Sequence, residues 1–245
     1  MGTQGKTLII AEAGVNTNGD LDTALKMVDA AKEAGADVCK FQTFFDVPKY
    51  NHLRHGQDEW VKIVAHCDDV GIEFMSTPEG TEECYFLCAL GVRAIKIGSD
   101  NLTNYDLIRL CAQKGKDTYI STGKAKHTGE ILHAKWEFLV NMAEVPTPNL
   151  TFLHCVSEYP TDPSKMDLST ITDIQSETGP FVGLSDHTMS VTEIPCMAVA
   201  LGATVIEKHF TLDRNQDGED HHMSLEPEEL KRMCEWIRIA EKAMS

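Results

Sequence analysis

The sequence lacks several features that would place it in another class of protein. No apolar run approaches the ~20 residues that a membrane-spanning helix needs. The N-terminal residues lack the apolar core of a signal peptide, and Lys6 stands where a myristoylation motif carries serine or threonine. We therefore expect no membrane partner and no lipid anchor.

Basic residues are also scarce. The chain has 22 lysines and arginines against 38 aspartates and glutamates, which gives a formal net charge of −16. Such a charge disfavours nucleic acids and anionic membranes as partners. In so acidic a chain, a lysine at the polar end of a buried strand is expected to serve a local anion. The alternative is a lysine at the rim that keeps its charged end in water.

Cysteine spacing of the zinc-ribbon type is missing. The eight cysteines lie mostly in apolar, periodic segments, and Cys84 and Cys88 stand one helical turn apart, so we expect them to be core residues. This cysteine usage is typical of a reducing compartment and predicts a cytoplasmic protein.

Short apolar runs alternate with amphipathic helical patterns along the whole chain. The predicted strands are Thr7–Gly14, Val38–Phe44, Glu73–Pro78, Ala94–Ser99, Asp117–Gly123, Leu150–Ser157, Phe181–His187 and Thr204–Phe210. Helices are expected to begin near Asp20, Asp58, Gly80, Asn104, His127, Asp167, Ser190 and Pro227. Glycines before four of the strands are expected to close the preceding helices: Gly35, Gly71, Gly91 and Gly202.

Eight consecutive βα units in 245 residues predict an α/β protein that forms a single (β/α)8 TIM barrel over residues 1–245. A doubly wound open sheet is the alternative. In a TIM barrel the active site lies at the carboxyl ends of the strands. Every predicted strand of this chain carries polar residues at that end, which strands that only fill a core would not do.

Two lysines at these strand ends favour an anion site. Lys40 and Gln42 alternate along the second strand and so face the same way, and Lys96 lies in the fourth strand. With the serine and threonine hydroxyls of strands three to five they form a cradle that suits phosphate. Composition does not distinguish phosphate from carboxylate, and phosphoenolpyruvate carries both.

Two acidic residues, Glu12 and Asp186, lie near the predicted cations and are candidates for proton transfer or for positioning water. They could instead be ion-pair partners that orient the lysines. For Asp186 the two interpretations stay equally open.

Two adjacent strands end on an imidazole, His187 and His209, and we expect these side chains to hold a divalent metal. Two imidazoles without a thiolate suit Mn²⁺, Co²⁺ or Zn²⁺, with water or substrate oxygen completing the shell. His221 and His222 in the last loop are left out of this ligand set, because a polar loop of an acidic protein has other uses for them.

Ten stretches together resemble the sialic acid synthase family, that is, N-acetylneuraminate synthase and its legionaminate and pseudaminate relatives. Their order and spacing hold from about Leu8 to Leu225. The stretches are Ile10–Asn16, Val38–Thr43, Ser76–Pro78, Ile95–Ser99, Leu102–Ile108, Ser121–Gly123, Leu153–Cys155, Glu158–Thr161, Gly183–Thr188 and Glu207–Thr211.

The resemblance implies a metal-dependent condensation of phosphoenolpyruvate with an aldose of the N-acetylmannosamine type, giving a 2-keto-3-deoxy sugar acid and phosphate. It implies Mn²⁺ as the first choice of metal, with Mg²⁺ or Co²⁺ as alternatives, and a homodimer by analogy. The expected metal ligands are His187 and His209. The expected catalytic residues are Glu12, Lys40, Lys96 and Asp186. The expected substrate-binding residues are Gln42, Thr77, Ser99, Ser121, Ser157, Tyr159, Ser185 and Asp220.

The sequence departs from the family on the side that would hold the sugar. Family members usually continue into a small antifreeze-like domain, whereas we expect this sequence to comprise the barrel alone. The loop after the second strand is short, Asp100-Asn101 replaces a Gly-Glu pair, and Lys124 replaces a methionine. Two other functions therefore stay open: a metal-dependent 2-keto acid aldolase, and a non-catalytic sugar-binding paralogue that needs a partner subunit.

Overall fold

The computed structural model of the protein describes residues 6–142 and 149–244. The segment 1–5, which carries the expectation of no signal peptide and no lipid anchor, lies outside the described residues. Eight parallel strands close into a barrel in sequence order, so the predicted TIM barrel is confirmed and the open sheet is wrong. The strands are β1 Leu8–Gly14, β2 Val38–Thr43, β3 Glu73–Pro78, β4 Ala94–Ile97, β5 Asp117–Ser121, β6 Leu150–His154, β7 Val182–Asp186 and β8 Val205–His209.

Helices cover the outside of the barrel. Those in the described ranges are α1 Leu21–Ala34, α2 Gln57–Val70, α3 Thr81–Ala89, α4 Tyr105–Gln113, α5 Thr128–Val140, α6 Ser169–Thr178, α7 Glu193–Ala200 and α8 Pro227–Met244. Side-chain caps begin two of these helices: the side chain of Asp20 accepts from the backbone N–H of Thr23 at α1, and that of Asn104 accepts from the backbone N–H of Leu107 at α4. The four glycines expected to close helices all have the positive φ that such ends require: Gly35, Gly71, Gly91 and Gly202.

Most strands end earlier than predicted. Strand β4 stops at Ile97 because Gly98 begins a 3-10 turn over Ser99–Asn101, and β6 stops at His154. Periodicity marks the apolar part of a strand well, but the residues that follow it leave the sheet to form the rim, and their hydrogen bonding is not encoded in the pattern.

One apolar layer fills the barrel interior on the side away from the carboxyl ends of the strands, and we call this layer the plug. The layer consists of Ile10, Val38, Met75, Ala94, Leu153 and Val205, all buried. Because side chains alternate along a strand, the residue two positions further along also points inward, one layer higher. That rule places polar side chains directly above the plug, at the carboxyl end of the barrel.

A second apolar core lies between the strands and the helices, and it takes the residues of opposite parity. Phe41 stacks on Phe74 with ring centroids 5.6 Å apart, and Trp60 of α2 meets Phe41 edge-on at 5.9 Å. Cys84 is fully buried in this core and Cys88 packs at its edge, as expected. No helix within residues 6–142 and 149–244 is long and apolar enough to cross a membrane.

Candidate active site

The polar layer above the plug is assembled by strand register. Glu12 of β1 is the register partner of Lys40 on one side and of His209 on the other. Ser185 of β7 is the partner of Glu207 of β8. Together these strands line a polar cavity of about 210 Å³ that opens at the carboxyl end of the barrel. The expected site residues among its lining are Glu12, Lys40, Gln42, Thr77, Lys96, Ser99, Ser121, Ser157, Tyr159, Ser185, His187 and His209.

Four buried charges form the floor of the cavity. The ammonium of Lys40 lies 2.6 Å from Glu12 Oε2 and 3.9 Å from Glu207 Oε2. The ammonium of Lys96 lies 3.8 Å from Glu207 Oε1. None of the four side chains is more than 4% exposed. Buried charges of this kind persist only when they are paired, so the two lysines and the two carboxylates depend on one another.

The surrounding charges and burial shift the pKa values of the two carboxyl groups in opposite directions. Burial raises the pKa of Glu12 to about 7, although Lys40 opposes the rise. Burial also opposes ionisation of Glu207, but Lys40 and Lys96 outweigh it and lower the pKa of Glu207. Glu207 is hence the permanent anion between the lysines. Glu12 is the carboxyl that can exchange a proton near neutral pH.

The lysines differ in the same way. Burial alone would lower the pKa of Lys40, but its two acidic neighbours, Glu12 and Glu207, raise it. For Lys96 burial prevails over Glu207 and the pKa is lowered. Lys40 is therefore the more firmly charged of the two.

Hydroxyl groups surround the lysines on the side of β3 to β6. Lys40 donates to Thr77 Oγ1 at 3.1 Å, and the backbone N–H of Gly123 donates to Ser99 Oγ at 3.1 Å. The hydroxyl of Ser121 is buried without a hydrogen-bond partner. A Cβ at Gly123 would lie 2.6 Å from Ser157 Oγ, so only glycine leaves the room. This wall offers an unused hydroxyl donor, that of Ser121, beside two cations, which is an arrangement that suits an oxyanion.

The two histidines lie on the opposite wall, with ring centroids 5.6 Å apart. The Nδ1–H of His187 donates to the carbonyl of Val156 at 2.7 Å, so in the neutral ring the lone pair is on Nε2. Burial, reinforced by His209, lowers the pKa of His187 to about 4; burial and Lys40 lower that of His209 to about 3. Both rings are neutral at physiological pH, as metal ligands must be.

These residues fit a metal held mainly by substrate and water. Within the described parts of the chain, no three or more His, Cys, Asp or Glu side chains come close enough together to form a complete metal shell. The Nδ1 atom of His209 is nevertheless buried without a hydrogen-bond partner, which is an expensive state for a polar atom unless it has a ligand. Two neutral imidazoles, one oriented by a backbone carbonyl, would supply two of the ligands and leave the other positions open.

Of the expected sugar contacts, Gln42 and Tyr159 line the cavity, whereas Asp220 lies beside His209 outside the lining. The ring of Tyr159 packs on His187 with centroids 4.2 Å apart and is half exposed. Asp220 Oδ2 lies 3.7 Å from His209 Nδ1. His221 instead bonds Thr211 Oγ1 through Nδ1 at 2.7 Å and anchors the last loop, which agrees with leaving it out of the ligand set.

Asp186 corrects the sequence-based set. It lies on the opposite face of β7 from Ser185 and His187, because neighbours along a strand point to opposite sides. Its Oδ2 accepts from Lys208 Nζ at 2.7 Å, and its Oδ1 accepts from the backbone N–H of Thr188 at 2.8 Å. Both charged side chains are buried. Asp186 therefore ties β7 to β8 behind the histidines and does not face the reacting groups.

This placement predicts that Asp186→Asn lowers the free energy of unfolding and leaves the turnover number nearly unchanged. The single amide oxygen of asparagine replaces only one of the two carboxylate oxygens that accept from Lys208 and from the Thr188 N–H, and the buried ammonium loses its counter-charge. We expect the free energy of unfolding to fall by about 2 kcal/mol, measured by urea denaturation. The turnover number of the folded variant should stay within about twofold of the wild type. A large loss of turnover with unchanged stability would restore the catalytic interpretation.

Glu207 is the main residue that the sequence interpretation left out of the site. It shares the inward parity of β8 with His209, two positions on, and this alternation was the signal available. The lining also includes Asp100, Lys124 and Cys155. Their places depend on how the loops after β4, β5 and β6 fold, which no periodicity predicts.

A larger groove of about 650 Å³ lies outside this cavity, between the loop after β6 and helix α7. Its lining is mostly apolar, with Met189, Ile194 and Met197 among the contributors. It contains neither the buried lysines nor the imidazoles, so we place the chemistry in the smaller polar cavity.

Comparison with known proteins identifies the family of the chain. A model of the NeuB family matches residues 45–245. The chain belongs to the NeuB family. The resemblance found in the sequence motifs is thereby confirmed, and the matched range includes every expected site residue except Glu12, Lys40 and Gln42.

Three relatives extend the comparison to the whole barrel. The N,N'-diacetyllegionaminic acid synthase of Campylobacter jejuni is 39% identical, over 98% of this chain and 78% of that protein. The human N-acetylneuraminate-9-phosphate synthase is 32% identical, over 100% of this chain and 73% of that protein. The crystal structure of the sialic acid synthetase of Leptospira borgpetersenii matches with a TM-score of 0.90 and 34% identity, over 98% of this chain and 85% of that one.

Proposed function

We propose that this NeuB-family protein condenses phosphoenolpyruvate with an aldose, an N-acetylmannosamine-type or related sugar, to form a 2-keto-3-deoxy sugar acid and phosphate. One observation carries the proposal: a buried anion cradle and a pair of neutral imidazoles face each other across one small cavity. Two of the relatives, synthases of N,N'-diacetyllegionaminic acid and N-acetylneuraminate-9-phosphate, support the same class of reaction.

The cradle suits phosphoenolpyruvate because it offers separate partners for two anionic groups. Lys96 with Ser99, Ser121 and Ser157 would hold the phosphoryl group, and Lys40 with Thr77 would hold the carboxylate side. Fixing the enol in this way presents its C3 carbon to the aldehyde carbon of the sugar. Holding two reactants in register removes much of the entropic barrier to their union.

His187 and His209 would hold the divalent metal, with Mn²⁺ as the first choice. When bound, the metal supplies Lewis-acid polarisation of the aldehyde oxygen. Gln42 and Tyr159 in the lining, together with Asp220 beside His209, would orient the sugar.

The reaction balances with one water. A bond forms between C3 of phosphoenolpyruvate and the aldehyde carbon, which leaves C2 electron-poor, and the aldehyde oxygen gains a proton. Water adds to C2 and gives up one proton, which balances the proton that the aldehyde oxygen takes up. The C2–O bond to phosphate then breaks, and the remaining proton of the C2 hydroxyl leaves with the phosphate as the ketone forms. Glu12, with a pKa of about 7, would accept the proton from water, while Glu207 would stay ionised and stabilise the positive charge nearby.

The test uses metal-stripped protein, phosphoenolpyruvate and a panel of N-acetylated and plain aldoses. Free phosphate is measured before and after Mn²⁺ is added. We expect release that depends on both the metal and the sugar, and the active sugar names the acceptor. Carbon–carbon bond formation or cleavage without phosphate release would favour an aldolase. Failure to bind phosphoenolpyruvate in calorimetry would overturn the proposal.

A further inference from the structure

An ion pair spans the mouth of the cavity. Lys124 follows β5 directly after Gly123, and its ammonium bonds the carboxylate of Asp100, which follows β4. Both residues line the cavity, yet their side chains are 54% and 75% exposed. The pair therefore shares the lining with Ser99, which follows β4, and with Ser121, which ends β5, and is in contact with solvent.

The cations deeper in the cavity are already committed. Lys40 contacts both Glu12 and Glu207, and Lys96 contacts Glu207. The floor thus has no net charge when Glu12 is ionised and one net positive charge when it is protonated. Phosphoenolpyruvate carries at least two negative charges, from its carboxylate and its phosphoryl group, so the floor alone does not neutralise it. Besides Lys40 and Lys96, the described residues that line this cavity include one more lysine, Lys124.

We propose that Lys124 is a phosphoryl-binding residue, and that Asp100 pairs with it while the phosphoryl group is absent. On binding of phosphoenolpyruvate, Lys124 leaves Asp100 and its ammonium donates to the phosphoryl oxygens beside Ser99 and Ser121. This inference rests on the proposed function, since it names a binding residue for the substrate of that reaction.

Two physical facts make the exchange favourable. Exposed ion pairs are weak, because water screens both charges and holding two long side chains together loses entropy. A phosphoryl group offers several acceptor oxygens and more than one negative charge, and charge-assisted hydrogen bonds to it are stronger. The buried hydroxyl of Ser121, which has no partner, marks where such an anion gains a second donor. Asp100 then acts as a competitor that weakens binding.

The test compares three single variants by calorimetric titration with phosphoenolpyruvate in the presence of Mn²⁺. Lys124→Met should raise the dissociation constant about tenfold, by loss of one charge-assisted contact. Asp100→Asn should lower it about two- to threefold, by removing the competitor. Lys126→Met is the matched control: Lys126 is also exposed and lies outside the cavity lining, and its loss changes the net charge equally. It should leave the constant unchanged.

Steady-state kinetics separate binding from a purely structural role. Lys124→Met should raise the KM for phosphoenolpyruvate by a similar factor with little change in kcat, KM for the sugar or melting temperature. In the double variant Asp100→Asn/Lys124→Met, the loss of Asp100 should no longer improve binding of phosphoenolpyruvate, because Lys124 is no longer there to be released.

The outcomes distinguish failure of the role of Lys124 from failure of the proposed function. If the wild type does not bind phosphoenolpyruvate, the proposed function fails. If the wild type binds and Lys124→Met behaves like Lys126→Met, only the role of Lys124 fails. A change confined to the KM for the sugar would assign Lys124 to the acceptor and likewise overturn the inference.

Discussion

Replacing either imidazole, in His187→Ala or His209→Ala, is expected to lower metal-dependent phosphate release by about a thousandfold, which corresponds to about 4 kcal/mol of transition-state stabilisation. The reason is the sparseness of the site: in the described parts of the chain, no third acidic, thiol or imidazole side chain joins the two histidines closely enough to complete a metal shell. One remaining imidazole cannot retain a labile ion. Phosphate release with saturating substrates measures the effect.

Metal binding gives a second reading of the same variants. Titration of Mn²⁺, followed by the loss of its free-ion spin resonance signal, should show about one site in the wild type and greatly weakened binding in both variants. His222→Ala is the matched control, because His222 is exposed in the loop that carries Asp220. It should stay within about twofold of the wild type. Full activity in a folded His209→Ala protein would contradict the metal assignment.

The second large effect concerns stability. Lys40→Met is expected to lower the free energy of unfolding by about 3 kcal/mol, because it leaves Glu12 and Glu207 buried with only Lys96 to balance them. At ~2–4 °C per kcal/mol for a domain of this size, the melting temperature should fall by roughly 6–12 °C. Thermal unfolding followed by circular dichroism measures the shift.

The destabilisation should depend on pH in a defined direction. The pKa of Glu12 in the folded wild type, about 7, already exceeds its ordinary value of 4.5, and removal of Lys40 raises it further. A carboxyl whose folded pKa is raised favours the folded state below its unfolded pKa, and that contribution is lost as the pH rises through the folded pKa. The variant should thus lose most stability relative to the wild type above neutral pH and least near pH 4.5.

The double variant Glu12→Gln/Lys40→Met tests this explanation. It removes the carboxyl together with its counter-charge, so most of the stability lost in Lys40→Met should return. The steep decline above neutral pH should also disappear. A double variant that is as unstable as the single one would show that the cost came from lost packing of the lysine stem.

Much of this protein was predictable from its sequence because the relevant signals are local. The alternation of eight apolar runs with helical periods implies a barrel, and helix-closing glycines such as Gly35 follow from backbone sterics. Strand parity alone places Lys40 with Gln42, and Ser185 with His187. The carboxyl-end rule then collects these residues into one site.

The tertiary structure decided which of those groups meet. Glu12 contacts Lys40 because β1 pairs with β2 in that register, and Asp186 pairs with Lys208 behind the histidines. Register around a closed barrel depends on how all eight strands tilt and stagger together. Burial, which separates the pKa of Glu12 from that of Glu207, is likewise a property of the assembled barrel. The residues themselves determined the chemistry available to this protein, and the closure of the barrel decided which of them act on each other.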